Sequence, residues 1–167
     1  MEDSEIFENL MQVLWEYASS VKELYKGRLT ADNKKATGNL INSVDTFVVY
    51  QGTEFLVTLK VEDYYKWVEE GRKPGKFPPV DKILEWIKAK PVLPRPLDNG
   101  KLPNENQLAY LIGRKIATEG IEPGHQLADV LGSLNRQYIP LLQEALNKDF
   151  DKYSLSIFNK INKMIRI

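Results

Sequence analysis

The sequence predicts an α+β protein with an N-terminal helix, a central antiparallel β-hairpin or small sheet, and several further helices, including a long C-terminal helical region. Three observations lead there. Apolar residues recur at helical spacing over residues 4–26, two segments rich in β-branched and aromatic residues flank the turn-former "QGTE", and helical spacing returns after residue 104. The 167 residues fit one α+β domain over 1–150 followed by a C-terminal helical tail or extension over 151–167. A chain of this size hides roughly two-thirds of its unfolded surface, enough for a core without staples.

The first helix carries Phe7, Leu10, Leu14, Tyr17, Val21 and Leu24 on one face, with Asp3 or Ser4 as N-cap and Gly27 as stop. The polar, turn-rich segment 28–40 reads as a loop leading to a short turn. Then "SVDTFVVY" and "EFLVTLKV" form the hairpin, with Phe55, Val57, Leu59 and Val61 on one face of the second strand. A lone hairpin is marginal in water, so the N-terminal helix is expected to cover one face, leaving open edges for other strands.

A short helix over "DYYKWVEEG" ends at Gly71. After the loop, Val80, Ile83, Leu84 and Ile87 mark a helix that starts at Pro78 and Pro79. Four prolines make 90–103 a loop. Asn104 caps the next helix, which carries Leu108, Leu111, Ile112 and Ile116 and halts at Gly120. In the C-terminal region Leu127, Leu131, Leu134, Tyr138, Leu141 and Ala145 are in phase. Pro140 is expected to kink or split that helix, because it removes a backbone donor. Ile157, Phe158, Ile161 and Ile165 extend an amphipathic tail.

Composition excludes several classes. Basic and acidic residues number 23 each, so the total lacks the excess that a dedicated duplex-binding protein uses to displace counterions. The local basic excesses are Lys160, Lys163 and Arg166 at the end, and Arg72, Lys73 and Lys76 in the loop. Without cysteine, disulfides and thiolate metal sites are ruled out. The acidic start lacks a secretory pattern, and no apolar run nears the roughly 20 residues that span a bilayer. A soluble chain made in the cytoplasm, with no membrane partner, is the expectation.

The segment "GRKPGK" imitates a phosphate-binding loop and fails as one. Only three residues lie between Gly71 and Gly75 where the motif needs four, Lys76 is followed by Phe77 instead of a metal-binding hydroxyl, and a short helix rather than a strand precedes. The single histidine, His125, sits in a Pro-Gly turn with no partner in view. The acidic pairs Glu69–Glu70 and Asp149–Asp151 read as solvated faces. Nothing in these patterns proposes a catalytic, cofactor or metal site, so none is expected. Tyr64, Tyr65, Trp67, Phe77 and Trp86 bracket the loop. They read either as core that pins the loop to hairpin and helix, or as a subunit contact. Lys73 and Lys76 either solvate the loop or meet an acidic neighbour or passing DNA.

Four elements in order carry a resemblance. Thr37, Gly38, Leu40 and Ser43 match T-G-x-L-x-x-S before a β region. Tyr64, Val68, Glu69 and Gly71 match Y-x-x-x-V-E-x-G. Pro78, Pro79 and Trp86 match a proline pair before a tryptophan helix, and Ile116, Gly120, Ile121 and Pro123 match I-x-x-x-G-I with a following proline. Over about residues 36–125 the chain resembles the tail-completion or neck (head–tail joining) proteins of tailed bacteriophages. It departs from them at "GHQ" after Pro123, where an aromatic or aliphatic residue is usual.

The resemblance implies a non-enzymatic virion subunit assembled in the host cytoplasm. It would form a homo-oligomeric ring in the neck, joining portal or adaptor to tail proteins, with double-stranded DNA passing through the channel without sequence specificity. Closing a ring needs heterologous contacts. The loops 71–79 and 90–103 are the expected interfaces, with Trp67, Glu70, Gly71, Arg72, Lys73, Lys76, Phe77, Pro78, Pro79, Trp86, Pro94 and Arg95 as candidates. The alternatives are a regulatory or interaction module without a ring and a DNA-acting enzyme using carboxylate-bound metal.

Overall fold

A computed structural model describes residues 6–32, 38–52, 54–89, 92–97 and 100–165. The fold is α+β. Helix α1 spans Glu8–Ala31 and α2 Asn39–Ser43. Strands β1 (Asp45–Gln51) and β2 (Glu54–Lys60) follow, then helices α3 (Tyr65–Glu69), α4 (Val80–Ala89), α5 (Glu105–Glu119) and α6 (Gln126–Ile165). The residues group into two compact units. One holds the described parts of Met1–Tyr25, Asp45–Lys60 and Ala128–Ile167; the other holds those of Lys26–Val44 and Val61–Leu127. The expected caps Asp3 and Ser4, the motif residue Thr37 and the basic Arg166 lie outside the described residues.

In the first unit β1 and β2 pair antiparallel, with Val48 opposite Val57 and Tyr50 opposite Phe55. The N-terminal helix covers one face of this hairpin, as its stripe predicts. Leu10, Leu14 and Ala18 of α1 cluster with Val48, and Phe55, Val57 and Leu142 pack around them. Phe7 meets Phe55 edge-on with centroids 5.3 Å apart, and Phe55 stacks on Tyr50 at 4.8 Å. Such pairs add about 0.5–1.5 kcal/mol beyond area burial. The Thr46 hydroxyl donates to the Ala18 carbonyl at 3.0 Å, and the Lys22 ammonium meets Asp45 at 2.9 Å, which holds the lysine above its usual range. The other face of the hairpin leaves Phe47, Val49 and Leu56 exposed.

Helix α6 runs antiparallel to the start of α1. Tyr17 meets Tyr138 edge-on at 5.4 Å, and its hydroxyl donates to Asn135 at 2.7 Å. At the other end Asp149 ties the helices together. Its carboxylate accepts from the amides of Asn9 (3.1 Å) and Leu10 (2.8 Å) and from the Asn9 side chain (2.6 Å), and no part of it reaches solvent. The first-turn amides of a helix have no partner within it, and a carboxylate there also complements the helix dipole. Asp149 therefore caps α1 from about 140 positions away in sequence. It is not part of a solvated face, as its pairing with Asp151 implied.

Four further sequence expectations need correcting. The first helix does not stop at Gly27; it continues to Ala31, because Tyr25 and Leu29 are fully buried and hold another turn in place. Leu24 is exposed and Tyr25 takes its place in the stripe. Pro140 does not split α6, which is one helix from Gln126 to Ile165. Residues 136 and 140 are both exposed, so the carbonyl that loses its donor can be hydrated. The buried stripe of α6 runs Val130, Leu134, Tyr138, Ala145 and Asp149, with Leu142 rather than Leu141 turned inward.

In the second unit α4 and α5 pack through Ile83, Ile87 and Ala109, with Leu84, Leu108 and Ile112 around them. Helix α5 starts on a capping box. The Asn104 side chain accepts from the Gln107 amide at 2.9 Å, and Gln107 accepts from the Asn104 amide at 3.0 Å. In the motif before the strands, Ser43 donates to the Leu40 carbonyl and accepts from the Glu62 amide, with Leu40 buried.

The Asp149 cap yields a prediction. Asp149→Ala strands the buried Leu10 amide and the partly buried Asn9 amide, and lowers stability by about 2 kcal/mol. Asp149→Asn keeps one acceptor oxygen and loses less. The midpoint of urea unfolding, followed by circular dichroism, measures both.

A candidate docking groove beside the Gly71 loop

The loop after α3 is built on its glycines. The Glu70 amide closes α3 by donating to the Lys66 carbonyl at 2.8 Å, and Gly71 then adopts φ +68°. A β-carbon at Gly71 would collide with the Ile121 carbonyl and come within 2.7 Å of the Pro123 nitrogen. Arg72 next pairs antiparallel with Ile121, donating to its carbonyl at 2.9 Å and accepting from its amide at 2.8 Å. Across the bridge Gly120 ends α5 at φ +83°, and a β-carbon there would collide with the Arg72 carbonyl. Left-handed backbone and close main-chain approach together demand glycine at both positions.

Further bonds fasten the two segments. The Gly75 amide donates to the Ala117 carbonyl at 2.8 Å and the Gly124 amide to the Val68 carbonyl at 3.0 Å; the His125 amide reaches the Glu69 carbonyl at 3.2 Å. Glu69 is buried, and its Oε2 accepts from the Leu127 amide at 2.8 Å, at the first turn of α6. Its expected place on a solvated face is thus also corrected, because the free amides at a helix start draw in a carboxylate. The second oxygen of Glu69 and the Gln126 Oε1 are buried without a hydrogen-bond partner among the described residues.

Beside this bridge lies an apolar groove of about 480 Å³. Trp67 and Val68 come from α3, Pro78 and Pro79 from the loop, Ile83 and Trp86 from α4, Ile112 and Ile116 from α5, and Ile121 from the bridge. Asp32, Lys82 and Glu122 supply its charges. Lys82 is held by Glu85 at 2.9 Å, and Asp32 accepts from the neutral Gln126 amide at 3.0 Å. The net charge of the rim is therefore negative.

The core reading of the bracketing aromatics fails for most of them. Trp67 is 58% exposed and Trp86 39%, and Tyr64 is exposed as well. Phe77 does pin the loop: it stacks on Tyr110 at 5.7 Å, and a β-carbon at Gly113 would lie 2.5 Å from its ring. Of the interface candidates, Trp67, Pro78, Pro79 and Trp86 meet at the groove. Gly71 and Arg72 form the bridge, and the Arg72 guanidinium donates to the Lys76 carbonyl. Glu70, Lys73 and Lys76 are exposed on the loop. Arg95 lines a separate depression with Pro103, Leu108 and Arg114, and Pro94 lines neither.

Sequence reasoning missed Asp32, because it ended α1 too early, and Glu122, whose place follows only from the pairing of Arg72 with Ile121. Among the described residues no group of three or more His, Asp or Glu is arranged to hold a metal, and no helix is long and apolar enough to cross a membrane. The arrangement offers an apolar, acid-rimmed recess suited to large hydrophobic side chains. No family model, curated protein or solved structure matches the chain.

The glycines give a paired prediction. Gly71→Ala and Gly120→Ala each lower stability by about 2–3 kcal/mol and speed amide exchange at Arg72 and Ile121. Gly27→Ala, in α1 with nothing within 4 Å of the added carbon, raises stability by about 0.5–1 kcal/mol. Thermal unfolding and hydrogen exchange read both effects.

Proposed function

We propose that this chain is a structural subunit of a bacteriophage head–tail connector, a neck or tail-completion ring that joins portal or adaptor to tail and leaves a channel for DNA. One observation carries the reading beyond the resemblance itself. The residues of its second and fourth motifs are 45 or more positions apart, yet they meet in one place. Gly71 lies against Ile121 and Pro123, Val68 is bonded to Gly124, and the third motif's Pro78, Pro79 and Trp86 line the adjoining groove. The order of the last three motifs thus has a physical reason: each holds part of one clamp beside an apolar recess.

An apolar recess with two exposed tryptophans is a poor final state for a monomer in water. Tryptophan and arginine are enriched where protein contacts concentrate their binding energy. The outer face of the hairpin, with Phe47, Val49 and Leu56 exposed, is a second surface of this kind. Separate, unlike surfaces on one chain support heterologous assembly, the kind that closes rings. In this reading the chain does no chemistry, and its neutral total charge is compatible with a part that lets DNA pass rather than gripping it.

Native mass spectrometry of the purified chain, alone and mixed with the portal, adaptor and tail proteins encoded near it, tests this reading. It predicts a closed oligomer in at least the mixture, and the chain as a constituent of purified virions. A monomer under every condition, together with absence from virions, contradicts it.

A further inference from the structure

The last part of α6 is sparsely packed among the described residues: Lys152 meets Glu8 at 2.9 Å, and the apolar side chains of the segment stay open. From residue 150 to 165 only Ser156 is even partly covered, and the apolar residues Phe150, Ile157, Phe158, Ile161, Met164 and Ile165 are all exposed. Phe158 is 60% exposed and Ile165 75%. Their spacing of three and four positions gathers most of them on one side of the helix. A helical piece of this length is marginal in water unless an apolar face is packed. Its charge is also one-sided, because Lys160 and Lys163 flank the stripe near its end.

The groove beside the Gly71 loop has the opposite character. It is apolar, it has room for a few large side chains but not a whole helix, and Asp32 and Glu122 on its rim are not offset by Lys82, which Glu85 holds. An amphipathic helix lying over such a recess inserts one or two anchors per turn and leaves its charged flank at the rim. Lysines on the helix and carboxylates on the rim then face one another. Parallel, in-register pairing of two tails would instead bring Lys160 and Lys163 against their own copies. Among the described residues both surfaces are exposed, so each is available to another molecule.

We infer that the C-terminal helical segment 150–165 of one copy docks its Phe150–Ile157–Ile161 stripe into the Trp67/Trp86 groove of a second copy. Tail and groove are different surfaces, so the contact is heterologous and each copy both gives a tail and receives one. The inference rests on the ring reading above, to which it adds the contact that links neighbouring subunits.

Two full-length variants test it by complementation. Ile157→Asp with Ile161→Asp disables the tail, and Trp67→Asp with Trp86→Asp disables the groove. All four positions are exposed, and circular dichroism checks that the fold is retained. Sedimentation velocity over a concentration series should show self-association of the natural chain, weakened roughly tenfold or more in each variant alone. An equimolar mixture of the two should form a one-to-one dimer, since it retains one intact tail and one intact groove. Lys160→Glu with Lys163→Glu should also weaken association and make it less sensitive to salt.

A groove variant that assembles as the natural chain does would mean tail-to-tail pairing and overturn the contact. So would a mixture that fails to dimerise, or a natural chain that is monomeric at all concentrations. A ring in the virion neck formed equally well by the tail variant would overturn the contact and leave the ring standing. Absence of the chain from virions counts against the ring alone.

Discussion

The antiparallel pairing of Arg72 with Ile121 is the constraint on which the candidate docking groove depends. Two backbone hydrogen bonds do not hold much by themselves; each contributes on the order of 1 kcal/mol net. Their effect comes from where the glycines force them to be. With Gly71 and Gly120 both in the left-handed region, the end of α3 and the end of α5 approach closer than any side chain allows. That closeness lets Glu69 reach the first turn of α6 and aligns Val68 with Gly124. It also sets Trp67, Ile121 and Trp86 around one recess instead of burying them against one another.

Much of the architecture was legible before any coordinates. The hairpin, the helix over 80–89 and the cap at Asn104 all follow from local rules of alternation, helical spacing and side-chain capping. What escaped the sequence was mostly long-range. Asp149 looks like a surface acid beside Asp151, yet it caps a helix that starts near residue 8. Glu69 looks like half of a charged pair, yet it is buried against the start of another helix. No window of neighbours contains those partners. The overrun of α1 past Gly27 has the same cause, since burial of Leu29 outweighs the modest helix penalty of one glycine.

The candidate interface divides along the same line. Trp67, Pro78, Pro79 and Trp86 were identifiable because bulky aromatics and prolines around a glycine loop are unusual. Whether they face inward or outward was not, because aromatics serve cores and interfaces alike. Arg95 was grouped with them on loop composition alone and lies at a separate depression. Asp32 and Glu122, which give the recess its sign, carry no local signal; only the folded chain brings them to one rim.

The exposed recess, the uncovered tail of α6 and the outer face of the hairpin have a common explanation if the chain completes itself in an assembly. A subunit that leaves apolar surface open gains stability when its neighbours close over it, by about 25 cal/mol for each Å² removed from water. Cryo-electron microscopy of the virion neck tests the central claim most directly. The account predicts a ring of this chain between portal and tail, with the Trp67/Trp86 recess covered by protein. A neck built without this chain would contradict it.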